Sequence, residues 1–384
     1  MKICAIICEY NPFHNGHLHH IRQAKTLSNA DALICIMSGN FVQRGESAIM
    51  EKRLRAKHAV LAGADAVVEL PAVFATSNAE LFAKGAVKIL SAIPSLTHLC
   101  FGAENANADV FLRSAKILND EPMEISAKIK DLTAQGYSYA KAKTEAFKDL
   151  IPAEFLENPN NLLGLEYTRA ILSYHSKIQI LPIQRLGCGY ADTHAQENFS
   201  SATAIRKAIQ AKDFPILKTN LPSFVYDDLT EISITSLQPL LKYAILQKNS
   251  KEIAKVCDCT EGLENAFKRV AEENVEQIES ALTSARYTTS RIRRIALQNL
   301  LNIQKQDILS ALENPLYLRL LAIKKENVAL LSELGKSAYP LLVKNSDEQK
   351  LDGVALEIYQ KEKFADRVYS IATGKQFPSF QPLL

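Results

Sequence analysis

The first structural constraint in this chain is the run Ile3-Cys4-Ala5-Ile6-Ile7-Cys8, six apolar residues with no polar interruption. A strand that faces solvent on one side alternates, whereas an unbroken apolar run marks a parallel strand buried on both faces. Such a strand needs helices above and below it, so the fold class it predicts is α/β. It also delivers the next segment of chain to a sheet edge. That segment is Glu9-Tyr10-Asn11-Pro12-Phe13-His14-Asn15-Gly16-His17-Leu18-His19-His20. Asn11-Pro12 and Asn15-Gly16 are turn dipeptides, and a helical pattern begins at Leu18, so His14 and His17 are expected where strand, loop and helix N-terminus meet. That junction is the ligand-binding edge of an open α/β sheet, and a helix N-terminus there favours an anion.

The pattern then repeats. Leu18–Leu27 reads as a helix and Ala32–Met37 as a second apolar strand, followed by the polar loop Ser38 to Glu46. Met50–Leu61 (helix), Asp65–Leu70 (strand), Asn78–Leu90 (helix) and Thr97–Phe101 (strand) continue the alternation. This predicts a doubly wound, Rossmann-like parallel sheet with right-handed crossovers. A helical insertion at about 108–150 comes next, then a helix to Tyr174, a strand Ile178–Ile183 and Arg185 at its carboxyl end. Ser and Thr in Ser200-Ser201-Ala202-Thr203-Ala204-Ile205-Arg206 are placed to cap the next helix.

The chain has 384 residues, which favours two domains. Breaks at Pro215 and Pro222 put the boundary near Lys212, giving 1–212 as the sheet domain and 213–384 as a mainly α-helical domain. No apolar stretch reaches the length of a membrane span, and the seven cysteines are an odd number, four of them in or beside strand-like runs, so free thiols and a cytoplasmic setting are expected. The net charge of +3 does not announce a polyanion partner. Its distribution matters more: between Arg286 and Lys325 there are eight basic residues against two acidic ones, a patch that could meet a polyanion. Arg291, Arg294 and Gln298 fall on one helix face, readable either as an RNA contact or as an ordinary solvated surface.

His14-Asn15-Gly16-His17 matches the His-x-Gly-His signature of the nucleotidyltransferase and class I aminoacyl-tRNA synthetase superfamily. Together with Met37 to Gly45, Phe101-Gly102-Ala103-Glu104, Asn160 to Tyr167, Arg185 and Tyr287 to Arg294, the chain resembles the bacterial tRNA(Met) cytidine acetate ligases over most of its length. The resemblance implies an enzyme that uses ATP, accompanied by Mg²⁺, and acetate to form acetyl-adenylate, then acetylates N4 of the wobble cytidine of elongator tRNA(Met). It implies an ATP pocket lined by Cys8 to His20, Gly102, one of Asn160 and Asn161, and Arg185. His14 and His17 are the candidate catalytic contacts to the α- and β-phosphates, because imidazole can donate hydrogen bonds to oxygens that gain charge. Arg206 resembles the superfamily's second phosphate-binding signature, although an extra residue separates the serines from Thr203. Arg291 and Arg294 are the candidate tRNA contacts.

Two other readings, one catalytic and one not, stand beside this one. The first is an adenylyltransferase acting on a small phosphorylated metabolite; the second is an RNA-binding protein that keeps the fold without the chemistry. A zinc site built from His14, His17, His19 and His20 lacks the partner motifs that zinc sites carry, so no metal ligand is assigned.

Overall fold

In the computed structural model of the chain, residues 1–185, 200–233, 236–273 and 275–377 are described. Cys188 and the loop Gly187 to Phe199 fall outside them. Among the described residues, seven strands form one sheet: β1 (Ile3–Cys8), β2 (Ala32–Ser38), β5 (Ala66–Leu70), β6 (Leu96–Ala103), β7 (Gln179–Gln184), β8 (Leu318–Ile323) and β9 (Leu341–Leu342). A separate hairpin, β3 (Phe41–Val42) with β4 (Glu46–Ser47), projects from the end of β2. The sheet order is β7-β6-β1-β2-β5-β8-β9, and the first five are mutually parallel. Strands β2 and β5 are therefore added on one side of β1 and β6 and β7 on the other, so the strand order reverses between β1 and β6, the switch point at which α/β sheets open a crevice.

The alternation within the strands explains why both faces are apolar. Ile3, Ala5 and Ile7 of β1 join Ile34, Ile36, Val68 and Leu99 in one core, while Cys4 and Ile6 join Leu33, Cys35, Met37 and Cys100 in the other. The first face is covered by helices including Ala79–Ser91 and Pro159–Ser173, and the second by α1 (Asn15–Ser28) and α2 (Lys52–Leu61). The six described cysteines are all free thiols.

The region after 212 is mainly helical, yet it supplies β8 and β9 to the same sheet, β8 running antiparallel to β5. Strand signals are weak there in the sequence, because Leu318-Arg319-Leu320-Leu321-Ala322-Ile323 is rich in Leu and Ala, which favour helix in isolation. Arg319 explains why a charge sits in the run. It is buried beside Glu69 at 2.9 Å and Asp366 at 3.3 Å, and Lys52 Nζ lies 2.5 Å from Glu69 and 2.6 Å from Asp366. This buried network ties α2, β5 and β8 to the long helix Gly353–Thr373, whose Glu362 also accepts from Ala72 N–H at 2.6 Å. Burial would push Glu69 up, but Lys52 and Arg319 hold it below the usual carboxylate range; burial and the neighbouring Glu69 push Glu362 above that range.

Candidate active site

The helix after β1 starts three residues earlier than the hydrophobic pattern indicates. His14 is its N-cap and His17 its third residue. Ser, Thr, Asn and Asp are the usual caps, and here an imidazole replaces them: Gly16 N–H donates to His14 Nδ1 at 3.1 Å, and His14 N–H donates to His17 Nδ1 at 3.3 Å. The two rings stack with centroids 3.7 Å apart. A neutral imidazole carries one proton, so accepting at both Nδ1 atoms places that proton on Nε2 of each ring. Burial, assisted by the charge of Arg185, pushes His14 down to about 3. Burial, then His14 and Arg185, holds His17 well below its ordinary value. Both rings are thus neutral Nε2–H donors at the positive end of a helix.

Glycine at 16 is required by this stack. A Cβ there would lie 2.9 Å from His14 Cε1 and 3.1 Å from its Nδ1. Tyr10 holds a left-handed backbone with φ of 49°, fixed by its ring against Phe13 and His17 at 4.8 Å each. His20, pushed down to about 4 by burial and then by Arg185, places Nε2 3.3 Å from Cys100 Sγ.

Across the switch point, Gly102 lies within β6 with Arg185 over it; a Cβ on Gly102 would stand 3.3 Å from Arg185 Cγ. Arg185 Nη1 donates to Asn160 Oδ1 at 3.3 Å, and Asn160 Nδ2 donates to Glu104 at 2.5 Å. The two adjacent asparagines therefore separate. Asn160 faces the cleft, whereas Asn161 is fully buried, accepting from the backbone N–H of Glu104 and Asn105 at 2.9 and 3.0 Å.

A third wall comes from the helix Ala202–Ala211, capped by Ser201, and from the β3–β4 hairpin. Arg206 Nη1 donates to Asn11 O at 2.8 Å and Nη2 to Thr203 Oγ1 at 3.2 Å, so Thr203 orients the arginine. Arg44 lines the same cleft. Ser290 and Arg294, from the helix Thr289–Leu300, reach it from the C-terminal half. Gly45 makes that approach possible: with φ of 76°, a Cβ would sit 2.6 Å from the backbone of Arg293 and Arg294.

These walls enclose a cleft of about 750 Å³, the size range of small-molecule sites. Of the residues expected to line it, Cys8, Glu9, Tyr10, Asn11, His14, Gly16, His17, His19, His20, Gly102, Asn160, Arg185 and Arg206 do so. Pro12 and Phe13 are buried behind it, Leu18 packs into the core beneath, and Asn15 turns away to donate to Thr219 O at 2.9 Å. Asn161 is likewise excluded, because backbone amides use its side chain. The face of Arg291, Arg294 and Gln298 is not a solvated surface. Gln298 is buried between Thr76 O and Cys257 N–H, Arg294 is buried 3.7 Å from Asp258, and Arg291 donates to Asp258 O and Thr260.

Sequence reasoning misses Arg55. It is buried at the root of the site, with its guanidinium donating to the carbonyls of Glu9, Ser38 and Gly39 and its Nε to Met50 O at 2.9 Å. It clamps the carboxyl ends of β1 and β2, and only tertiary structure distinguishes it from the other basic residues of α2. Tyr167, Phe101 and Phe82, which give the cleft an apolar side, carry no sequence signal beyond that of core residues.

The HIGH Nucleotidyl Transferase family profile matches residues 1–380. The tRNA(Met) cytidine acetate ligase of Thermoanaerobacter sp. (strain X514) is 36% identical over 388 aligned residues, covering 97% of this chain and 96% of that protein. The chain belongs to the tRNA(Met) cytidine acetate ligase family. The member from Clostridium novyi (strain NT) is 38% identical over 92% of this chain and 93% of its own length. Among solved structures of the family, Thermotoga maritima TmcAL bound with alpha-thio ATP matches with a TM-score of 0.88 at 32% identity, over 97% of this chain and 95% of that one. The apo form of the same protein matches with a TM-score of 0.91 at 31% identity, over 100% and 99%. No helix among the described residues is long and apolar enough to cross a membrane.

Proposed function

We propose that this protein is an ATP-dependent acetate ligase. It activates acetate as acetyl-adenylate, releasing pyrophosphate, and transfers the acetyl group to N4 of the wobble cytidine of elongator tRNA(Met). The observation that carries this reading is the pair of stacked, neutral imidazoles with Nε2–H donors at the N-terminus of α1, sited at the switch point of the sheet. Attack of a carboxylate on the α-phosphate builds negative charge on the phosphoryl oxygens and the departing pyrophosphate. Fixed donors aimed at that charge stabilise the transition state without reorganisation.

In this reading His14 and His17 meet the α- and β-phosphates, and Gly102, Asn160 and Arg185 hold the rest of the nucleotide. Arg206, kept in place by Thr203 and Asn11 O, receives the outer phosphates. Mg²⁺ accompanies the triphosphate. Among the described residues, one group of three carboxylates lies close enough to share an ion, Glu69, Glu362 and Asp366, and Lys52 already stands among them. In this reading the cation is carried by the phosphates of the nucleotide. Residues 1–212 carry activation and 213–384 present the tRNA, with Ser290 and Arg294 reaching the cleft from the helix Thr289–Leu300 and Arg291, held by Asp258 O and Thr260, beside them.

Incubation with ATP, acetate and unmodified elongator tRNA(Met) tests the proposal, read by mass spectrometry of the tRNA nucleosides. N4-acetylcytidine, formed only when acetate is present, is the expected result. Pyrophosphate release that depends on a phosphorylated metabolite in place of acetate would replace this reading with an adenylyltransferase, and tRNA binding with no ATP-dependent product would replace it with a binding protein.

A further inference from the structure

Acetate activation and acetyl transfer make different demands, and the second has a need that phosphate donors do not meet. The exocyclic amine of cytidine is conjugated with the ring and is a poor nucleophile. Amide formation costs it one N–H proton, and a base that takes that proton as it attacks lowers the barrier. A proton acceptor must stand beside the acyl group.

Among the described residues, three carboxylates line the cleft: Glu9, Glu46 and Glu157. Arg293 engages Glu46, and Glu157 is exposed. Glu9 comes directly after the last residue of β1. Gln43 N–H donates to its Oε1 at 2.7 Å and fixes the group, while no hydrogen bond among the described residues engages Oε2. The strand order gives Glu9 a particular position. Gly102 and Arg185 lie at the ends of β6 and β7, on one side of β1; Gln43 and the hairpin rise from the end of β2 on the other. Glu9 stands between the side assigned to the nucleotide and the side left for a second substrate.

We propose that Glu9 is the general base of acetyl transfer. N4 attacks the acetyl carbonyl carbon, and the new C–N bond forms as the bond from that carbon to the phosphate oxygen breaks. The electron pair leaves with AMP, and the N4 proton passes to Glu9 Oε2. This rests on the acetate-ligase reading above. The surroundings suit the role. Burial pushes the Glu9 carboxyl up, against the Gln43 N–H and the charges of Arg55, Arg44 and Arg206, which hold it down. The Tyr167 hydroxyl and the Cys8 thiol nearby are both held neutral by burial. A carboxylate held above its ordinary range is, in its ionised form, a stronger base than a solvated one.

Glu9→Gln tests the assignment, because glutamine keeps an oxygen for Gln43 N–H and so preserves the loop anchor while removing the base. Acetyl transfer is measured in single turnovers from enzyme-bound acetyl-adenylate to unmodified elongator tRNA(Met) across the acid to neutral range, beside acetate-dependent ATP–pyrophosphate exchange. The expected result is transfer slowed by ~10²-fold or more, with the wild-type rise in rate with pH flattened in the variant and exchange reduced far less. Transfer within about tenfold of wild type, an unchanged pH profile, or equal loss of both half-reactions would overturn it, the last by making Glu9 a nucleotide-positioning group. A wild-type enzyme that forms no acetyl-adenylate would instead overturn the acetate-ligase reading, and the two failures are told apart by the exchange assay.

Discussion

His14 and His17 face one another as stacked rings, inclined by 29°, and each ring's Nδ1 accepts a hydrogen bond from backbone within the same turn. This arrangement uses the polar capacity of one nitrogen to build the helix start and leaves the other for a ligand. The cap and the phosphate site are thus one structure. Damage to either is expected to appear in both stability and activity.

Acid should destabilise the protein through these rings. In the unfolded chain a histidine takes a proton near pH 6.5, whereas His14 and His20 in the fold resist until about 3 and about 4. Between those limits the unfolded state binds more protons, so stability is fully present above 6.5 and lost as pH falls toward the folded values. Thermal melts across this range should show Tm falling with pH. His14→Asn, which retains a capping acceptor, should make the decline shallower; an unchanged slope would mean that His14 is not buried neutral.

The two adjacent asparagines should behave oppositely. Asn160→Ala removes a cleft contact to Arg185 and is expected to raise KM for ATP with little change in Tm. Asn161→Ala leaves the N–H groups of Glu104 and Asn105 without their acceptor in a half-buried turn and should cost ~1–3 kcal/mol of stability. Equal effects on KM and Tm in both variants would contradict this division.

Much of this is legible in the sequence alone. The unbroken apolar runs of β1 and β2 specify a two-sided sheet, and the turn residues after β1 locate the site, because strand period and turn chemistry are local properties. The features that are not legible depend on distant partners. Arg319 is acceptable in β8 only because Glu69 and Asp366 meet it, from positions 250 and 47 residues away. Asn160 and Asn161 cannot be told apart until the helix phase of Pro159–Ser173 is fixed against β6. Arg294 reads as a surface charge until Gly45 brings the hairpin against its helix.

The buried ionic network makes a stability prediction of its own. Lys52→Met leaves Glu69 and Asp366 short of a partner inside the protein and should destabilise by ~3–5 kcal/mol. Denaturant titration measures it. A loss below about 1 kcal/mol would mean that Lys52 is solvated in solution.

Gly45→Ala tests how the C-terminal half is joined to the site. The added methyl group meets the backbone at Arg293 and Arg294, and φ of 76° is strained for alanine, so a loss of ~1–3 kcal/mol is expected. Acetylation of tRNA should fall more than ATP–pyrophosphate exchange, since the helix displaced is the one assigned to the tRNA. Loss confined to exchange would reverse the assignment of that helix.

The most direct test of the account is acetate-dependent exchange of labelled pyrophosphate into ATP, measured for the wild type, His14→Ala and His17→Ala. Wild-type protein should exchange label only when acetate is supplied, and each variant should fall by ~10²-fold or more as a transition-state donor is lost. Exchange at the wild-type rate in either variant would show that these imidazoles do not hold the triphosphate.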